Sequence, residues 1–237
     1  MIAKSKHVSV KKSFAFFGRE IEVDRLRNFR ARGKHVLIVG PAGIGKTALL
    51  RQVAQTCQLL ICQNASSLGR ICEDLEDQLG WTNSKRDLVQ RKNRLLAYLE
   101  RPRGPIAFDH IARTPPRVAR FIAQLGEQIA VWIACRSDRR NEIGHIWENL
   151  YRFTRMEISP LTPAETRALI QAAIKQGNIQ ADAIAHAHEL HRMSSGNPRI
   201  LQQLLTELAA RQYNIDSSFG LNLLDLDRRI HEIGSCH

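Results

Sequence analysis

Apolar positions along the chain fall into two kinds of run, and their alternation predicts the architecture. Five runs are short and continuous: HVLIVG (35–40), QLLICQ (58–63), PIAFDH (105–110), IAVWIAC (129–135) and RMEISPL (155–161). Apolar runs of this length, bounded by turn residues, read as buried strands. Between them apolar residues recur at helical spacing: Ile21, Val23, Leu26 and Phe29 within 20–32, then Leu49, Leu50 and Val53 within 46–57. Leu75 and Leu79 mark a helix at 69–80, and Leu88, Leu95, Leu96 and Leu99 one at 85–100. Two more are predicted over 116–125 and 141–150. Strands alternating with helices predict an α/β fold: a parallel five-stranded sheet between two helical layers.

Beyond Pro160 the rhythm changes. Helical patterns at 163–176, 182–193 and 198–213 follow one another with no strand between them, so a small all-α domain is expected from residue 161. Its first helix starts on a capping box, with Thr162 as N-cap, Pro163 at the first helical position and Glu165 at the third. Residues 219–233 place Leu223, Leu226, Ile230 and Ile233 on one side of a further amphipathic helix. The first dozen residues carry Lys4, Lys6, Lys11 and Lys12 among few large apolar side chains. The expected organisation is a basic arm (1–13), an α/β core (14–160), a helical domain (161–214) and a tail (215–237). No internal repeat and no low-complexity segment interrupts it.

Composition alters this picture in one respect. Hydrophobic residues are 43% and charged residues 24% of the 237, enough apolar material for a sizeable core. The net charge, however, is +12, and it is unevenly placed. Residues 1–159 hold 28 basic and 15 acidic side chains, whereas residues 160–237 hold 7 and 8. A basic first two thirds is compatible with phosphate-rich partners, nonspecific DNA among them, and equally with an Arg-rich solvated surface. Cys57, Cys62, Cys72, Cys135 and Cys236 form no CxxC pair and no metal-ligand spacing with histidine. With no charged-then-apolar leader and no apolar run of 18 residues, the expectation is a cytoplasmic protein without a membrane partner.

The motif that carries chemistry lies just after the first strand. Gly40-Pro41-Ala42-Gly43-Ile44-Gly45-Lys46-Thr47 fits GxxxxGK[ST], with a buried strand before it and a helical pattern from Lys46 to Cys57 after it, whose Ala48 joins the nucleotide-binding candidates. Polyphosphate must lie against successive backbone N–H groups, which requires glycines that tolerate unusual dihedrals and close approach. The helix adds its N-terminal donors and dipole, Lys46 reaches the terminal phosphates, and the Thr47 hydroxyl completes a Mg²⁺ shell. Such a site needs a carboxylate at the end of a neighbouring strand, and Asp109 is the candidate second metal ligand. His110 follows it, where many such hydrolases place an acid that polarises the attacking water. A neutral imidazole can accept a proton, so His110 is a secondary candidate base; a plain loop histidine is the alternative.

Taken in order, the motifs between residues 14 and 213 resemble those of the AAA+ superfamily, especially its STAND and replication-initiator-like branches. Phe17-Gly18-Arg19-Glu20 is similar to the segment that lies beside the adenine, residues 40–47 to Walker A, and Ile106 to Asp109 to Walker B. The resemblance implies a P-loop NTPase core with a helical lid, binding ATP and Mg²⁺. Ile133-Ala134-Cys135-Arg136-Ser137 resembles the STAND sensor 1 segment, making Arg136 a candidate γ-phosphate sensor in place of the usual AAA+ asparagine. Gly196-Asn197-Pro198-Arg199 resembles the lid's GxP motif, with Pro198 near the base and Arg199 in the sensor 2 position. Arg152 occupies the region from which AAA+ subunits present an arginine finger to a neighbour, with Arg139 and Arg140 as competitors.

Three functions fit these residues. One is an ATP-dependent molecular switch with slow Mg²⁺-dependent turnover, acting by self-association or on a separate effector protein. A second is an ATP-dependent DNA-binding accessory protein, such as a transposition or replication helper. The third is a nucleotide-binding adaptor that does not hydrolyse, since His110 departs from the hydrolytic pattern.

Overall fold

The computed structural model describes residues 18–81, 87–99 and 104–209. Within them the chain forms two compact units, one of residues 19–160 and one containing residues 161–209 together with Gly18. The basic arm, Phe17 and the amphipathic stretch at 219–233 lie outside the described residues.

The larger unit is built on five parallel strands: β1 (Val36–Val39), β2 (Leu60–Cys62), β3 (Ile106–Ile111), β4 (Val131–Cys135) and β5 (Thr154–Glu157), in the order β2-β3-β4-β1-β5. β1, β3 and β4 are central, and β1 and β4 are buried at every position, which explains why they read as unbroken apolar runs. Alternate residues feed opposite faces. Leu37, Val39, Ile106, Phe108, Val131 and Ile133 meet α3 (Leu68–Gln78), α4 (Leu88–Leu99) and α5 (Pro116–Leu125) in one continuous core. Val36, Ile38, Ala107 and Trp132 point the other way, the side of α1 (Glu20–Ala31) and α2 (Lys46–Thr56), whose Leu26, Leu49, Leu50 and Val53 are fully buried. The result is the expected three-layer α/β core.

Two elements of the larger unit differ from expectation. The helix predicted at 141–150 is split into α6 (Arg140–Ile143) and a 3-10 helix (His145–Arg152). Gly144 breaks it with φ +72 because the chain at Thr114 crosses there, and a side chain would collide with the Thr114 backbone. Thr114 N–H and C=O bond to Ile143 and His145 across this crossing. The fifth strand is also shorter than the predicted 155–161. Ile158 makes one more backbone bond to Val39 (2.8 Å), after which Pro160, lacking an N–H, cannot extend the ladder.

The smaller unit comprises α7 (Pro163–Lys175), a 3-10 turn (Ala181–Ile184), α8 (Ala187–Ser194) and α9 (Pro198–Ala209). One helix was expected over 182–193; it is interrupted between the 3-10 turn and α8. Leu169, Ile170, Leu190, Leu201, Leu204 and Leu205 form its own core. The capping box is present: Thr162 Oγ1 accepts from Glu165 N–H at 3.2 Å, and Glu165 accepts from Thr162 N–H at 2.7 Å. Among the described residues, no helix is long and apolar enough to cross a membrane.

Candidate functional site

β1 delivers the chain to the glycine-rich loop, and α2 receives it. Gly40 donates its N–H to Cys135 C=O at the end of β4 (3.3 Å), which fixes the start of the loop against the sheet. Gly45, immediately before α2, has φ +103, a conformation that a side chain makes strained. The turn there lets Gly45 C=O accept the first helical bond from Leu49 N–H (2.9 Å). The Lys46 ammonium is turned back over the loop, donating to Gly40 O at 2.6 Å and Pro41 O at 2.9 Å. Burial lowers its pKa from the usual lysine value. Arg136 acts in the same direction, while Cys135 and Asp109 oppose it. These influences also place Arg136, Cys135 and Asp109 in one electrostatic neighbourhood with Lys46.

Thr47 Oγ1 donates to Asp109 Oδ2 at 2.7 Å. Asp109 is 1% exposed, and its other oxygen accepts the His110 N–H at 2.9 Å. The carboxylate is delivered by a β-bulge. Phe108 pairs with Ile133 but Ile111 pairs with Cys135, so β3 spends one more residue than β4 across this step. The extra residue forces His110 to φ +55 and turns its ring outward, 70% exposed. His110 Nε2 nonetheless stays 3.4 Å from both Thr47 Oγ1 and Asp109 Oδ2. A hydroxyl and a carboxylate side by side at the mouth of an N–H-rich loop are hard oxygen donors. They fit Mg²⁺, which takes one or two protein oxygens and completes its shell with water and phosphate. No cluster of three or more metal-ligating side chains exists among the described residues, and this donor set does not require one.

The remaining sequence candidates are dispersed. Arg19 is 5% exposed and uses its guanidinium within the protein, donating to Ser159 O (2.7 Å), Ile44 O (3.4 Å) and Glu22 Oε1 (2.8 Å). Gly18 has φ +73 and lies against Leu161 and Glu165 of the smaller unit. Arg152 neighbours His35, which precedes β1, whereas the glycine loop follows β1. A four-residue strand spans about 13 Å, so Arg152 and Lys46 stand at opposite ends of it. Arg139 is the N-cap residue of α6, and Arg140 lies over the Trp147 ring at 5.5 Å. In the smaller unit Ser195 (φ +49) and Gly196 (φ +68) end α8. Asn197 Oδ1 then caps α9 by accepting from Arg199 N–H (3.1 Å), with Pro198 at the first helical position.

Cys135 and Ser159 lie within segments that the sequence singles out, the sensor 1-like run and the fifth apolar run, but neither is marked there as a site residue. Cys135 backs the loop at the end of β4, its thiol pushed up to about 11 by burial. Ser159 is found only through the buried arginine 140 positions away.

The model of the AAA ATPase domain family matches residues 15–216. The chain belongs to this family. Among solved structures, Orc1 of Aeropyrum pernix in complex with DNA superposes with TM-score 0.61 at 15% identity, over 91% of this chain and 66% of that one. Cdc6p of Pyrobaculum aerophilum gives 0.58 at 17%, over 84% and 62%. The Walker-type ATPase PABY2304 of Pyrococcus abyssi gives 0.63 at 14%, over 93% and 74%. This AAA ATPase domain thus spans somewhat under two thirds of the first two relatives, and at these identities the likeness is one of fold. No curated protein matches the chain. Fold and family together make it a nucleotide-binding AAA+ P-loop domain.

Proposed function

We propose that this chain is an ATP-dependent molecular switch of the STAND or initiator type, a slow Mg²⁺-dependent ATPase whose nucleotide state controls a partner. The observation that carries the reading is the Thr47–Asp109 pair, 2.7 Å apart beside Lys46 at the glycine loop. In this reading the backbone N–H groups of 42–47 and the N-terminus of α2 hold the phosphates. Lys46 exchanges the carbonyls of Gly40 and Pro41 for phosphate oxygens. Thr47 and Asp109 hold Mg²⁺, which neutralises phosphate charge when bound. Arg136 senses the γ-phosphate from the end of β4, and Pro198 with Arg199 belong to the closing lid. Arg152, remote from this chain's own loop, acts on a neighbouring copy's nucleotide.

Slow turnover follows from His110. A carboxylate beside Asp109 would polarise the attacking water strongly; an exposed imidazole there does so weakly, and switching needs only differential contact with the γ-phosphate. Calorimetric titration of ATP with Mg²⁺ tests the reading: Lys46→Ala abolishes measurable binding. Unchanged affinity in that variant refutes it. A large gain in turnover for His110→Glu identifies a tuned switch, whereas no turnover in either protein favours a non-hydrolysing adaptor.

A second reading, an ATP-dependent DNA-binding accessory protein, is supported by helices α4 and α5, neither of which contains an acidic residue. The similar Orc1 structure is of that protein in complex with DNA. DNA retention that depends on ATP, measured by electrophoresis at several salt concentrations, tests it.

A further inference from the structure

Among the described residues of the larger unit, cations without an ion pair lie at the end of α1, after β4 and around helices α4 and α5, and of these helices only α4 and α5 contain no acid. α4 reads LVQRKNRLLAYL and α5 reads PRVARFIAQL; between them they hold five cations and no acid. The two helices are neighbours, because Lys92 Nζ lies 5.9 Å from the centroid of the Phe121 ring on α5. Both bury their apolar residues in the same core, so their polar sides face outward on one side of the sheet. Arg91 is neutralised by Glu76 of α3 (2.8 Å). Arg94 is stacked at 3.8 Å over Trp81. Lys92, Arg117 and Arg120 make no ion pair among the described residues, nor does Arg113 in the turn before α5. Arg113, Arg117 and Arg120 are exposed; Arg117 and Arg120, three residues apart on α5, share one side of that helix, and Arg113 stands in the turn before it. α1 is different: its EIEVDRLRNFRA sequence sets three acids in its first half against three arginines in its second, and Arg27 is paired with Asp24.

The geometry points to the α4–α5 face as a docking surface for the phosphate backbone of duplex DNA, with Arg113, Arg117, Arg120 and Lys92 as the contacting cations. This rests on the second reading above and gives it a location. α5 is ten residues long, about 15 Å, and duplex DNA presents one charge per roughly 1.7 Å of axis. These exposed cations can therefore engage several phosphates at once without reading a base. The first of them, Arg113, lies four residues beyond Asp109, on the loop that leaves the bulge. Arg113 there has φ +45 and its N–H is bonded to Glu142 O at 2.7 Å, so the first cation is held by backbone at the nucleotide end of the sheet.

The test uses the full chain with ATP and Mg²⁺, and fluorescence anisotropy of a labelled 30-base-pair duplex of mixed sequence. With four phosphate contacts the affinity falls about 150-fold between 50 and 200 mM salt; in the Arg113→Gln/Arg117→Gln/Arg120→Gln variant it falls only about fourfold. Arg117→Gln and Arg120→Gln alone each lower the log–log salt slope by about 0.9. An Arg30→Gln/Arg32→Gln/Lys34→Gln variant, altered at the end of α1, keeps the wild-type slope. If wild type binds DNA but the α5 variants keep its slope, or only the α1 variant loses it, the surface is wrong and the DNA reading stands. If wild type retains no duplex at 50 mM salt, with or without ATP, the DNA reading falls and the surface with it. Capture by phosphatidylserine vesicles with no retention of duplex overturns both.

Discussion

The Thr47 hydroxyl and the Asp109 carboxylate, 62 residues apart in sequence, meet at 2.7 Å. The contact ties the first turn of α2 to the bulge of β3 and leaves Asp109 almost without exposure. A buried carboxylate persists there because Thr47 and the His110 N–H satisfy its two oxygens. Asp109→Asn keeps the shape and removes the charge. Its expected outcome is nucleotide affinity in EDTA within about threefold of wild type, and loss of at least about tenfold of the gain that Mg²⁺ confers. Titrations with and without Mg²⁺ check it; a retained Mg²⁺ effect shows that the ion is held elsewhere.

His110 stands in the left-handed region with φ +55, which costs a non-glycine residue roughly 1–2 kcal/mol. Asparagine tolerates this conformation and a β-branched residue does not. His110→Asn should therefore melt at or above the wild-type temperature, and His110→Val should lose about 1–2 kcal/mol, read from denaturant midpoints. Equal midpoints for the two variants would show that the bulge relaxes without cost.

These two residues divide what the sequence discloses from what it does not. The strand before the loop, the loop itself and the start of α2 are consecutive, so local pattern suffices to find them. That β3 carries Asp109 is also readable from PIAFD. The bulge is not, because it exists only as a mismatch of register between β3 and β4. Gly144 is similar: within NEIGHIWENL it looks like a glycine tolerated in a helix, and only the crossing of Thr114 makes it a break. Arg19 illustrates the same limit at the site. Its neighbours in sequence suggest a role beside the base, whereas its bonded partners, Ile44 and Ser159, are 25 and 140 residues away.

At the other end of β1, His35 Nδ1 accepts the Val131 N–H at 3.1 Å, so that nitrogen must be unprotonated in the folded chain. Burial lowers the His35 pKa below 6.5, and the Arg152 charge lowers it further. The unfolded state then binds the proton more readily than the folded one. The stabilisation is complete above about pH 6.5 and is lost as pH falls through the lower, folded value. Denaturant unfolding at pH 7.5, 6.5 and 5.5 should show this loss in wild type. His35→Asn, whose side-chain oxygen accepts the same N–H without titrating, should show less of it. An identical pH dependence in the two proteins would assign the effect to other histidines.

Arg19 offers the sharpest separation of a structural from a base-reading role. Its guanidinium bridges Ile44 O inside the glycine loop and Ser159 O after β5, with Glu22 as its counter-ion. Methionine fills similar volume but leaves both carbonyls and a largely buried glutamate without a donor, at a cost of about 3–5 kcal/mol. Lysine keeps the charge and can reach one acceptor at a time, so it recovers part of that loss. Because the bridge holds the loop rather than the base, Arg19→Lys should weaken ATP and GTP by the same factor. Paired calorimetric titrations of the two nucleotides decide the matter: a selective loss of ATP would place the Arg19 side chain at the adenine.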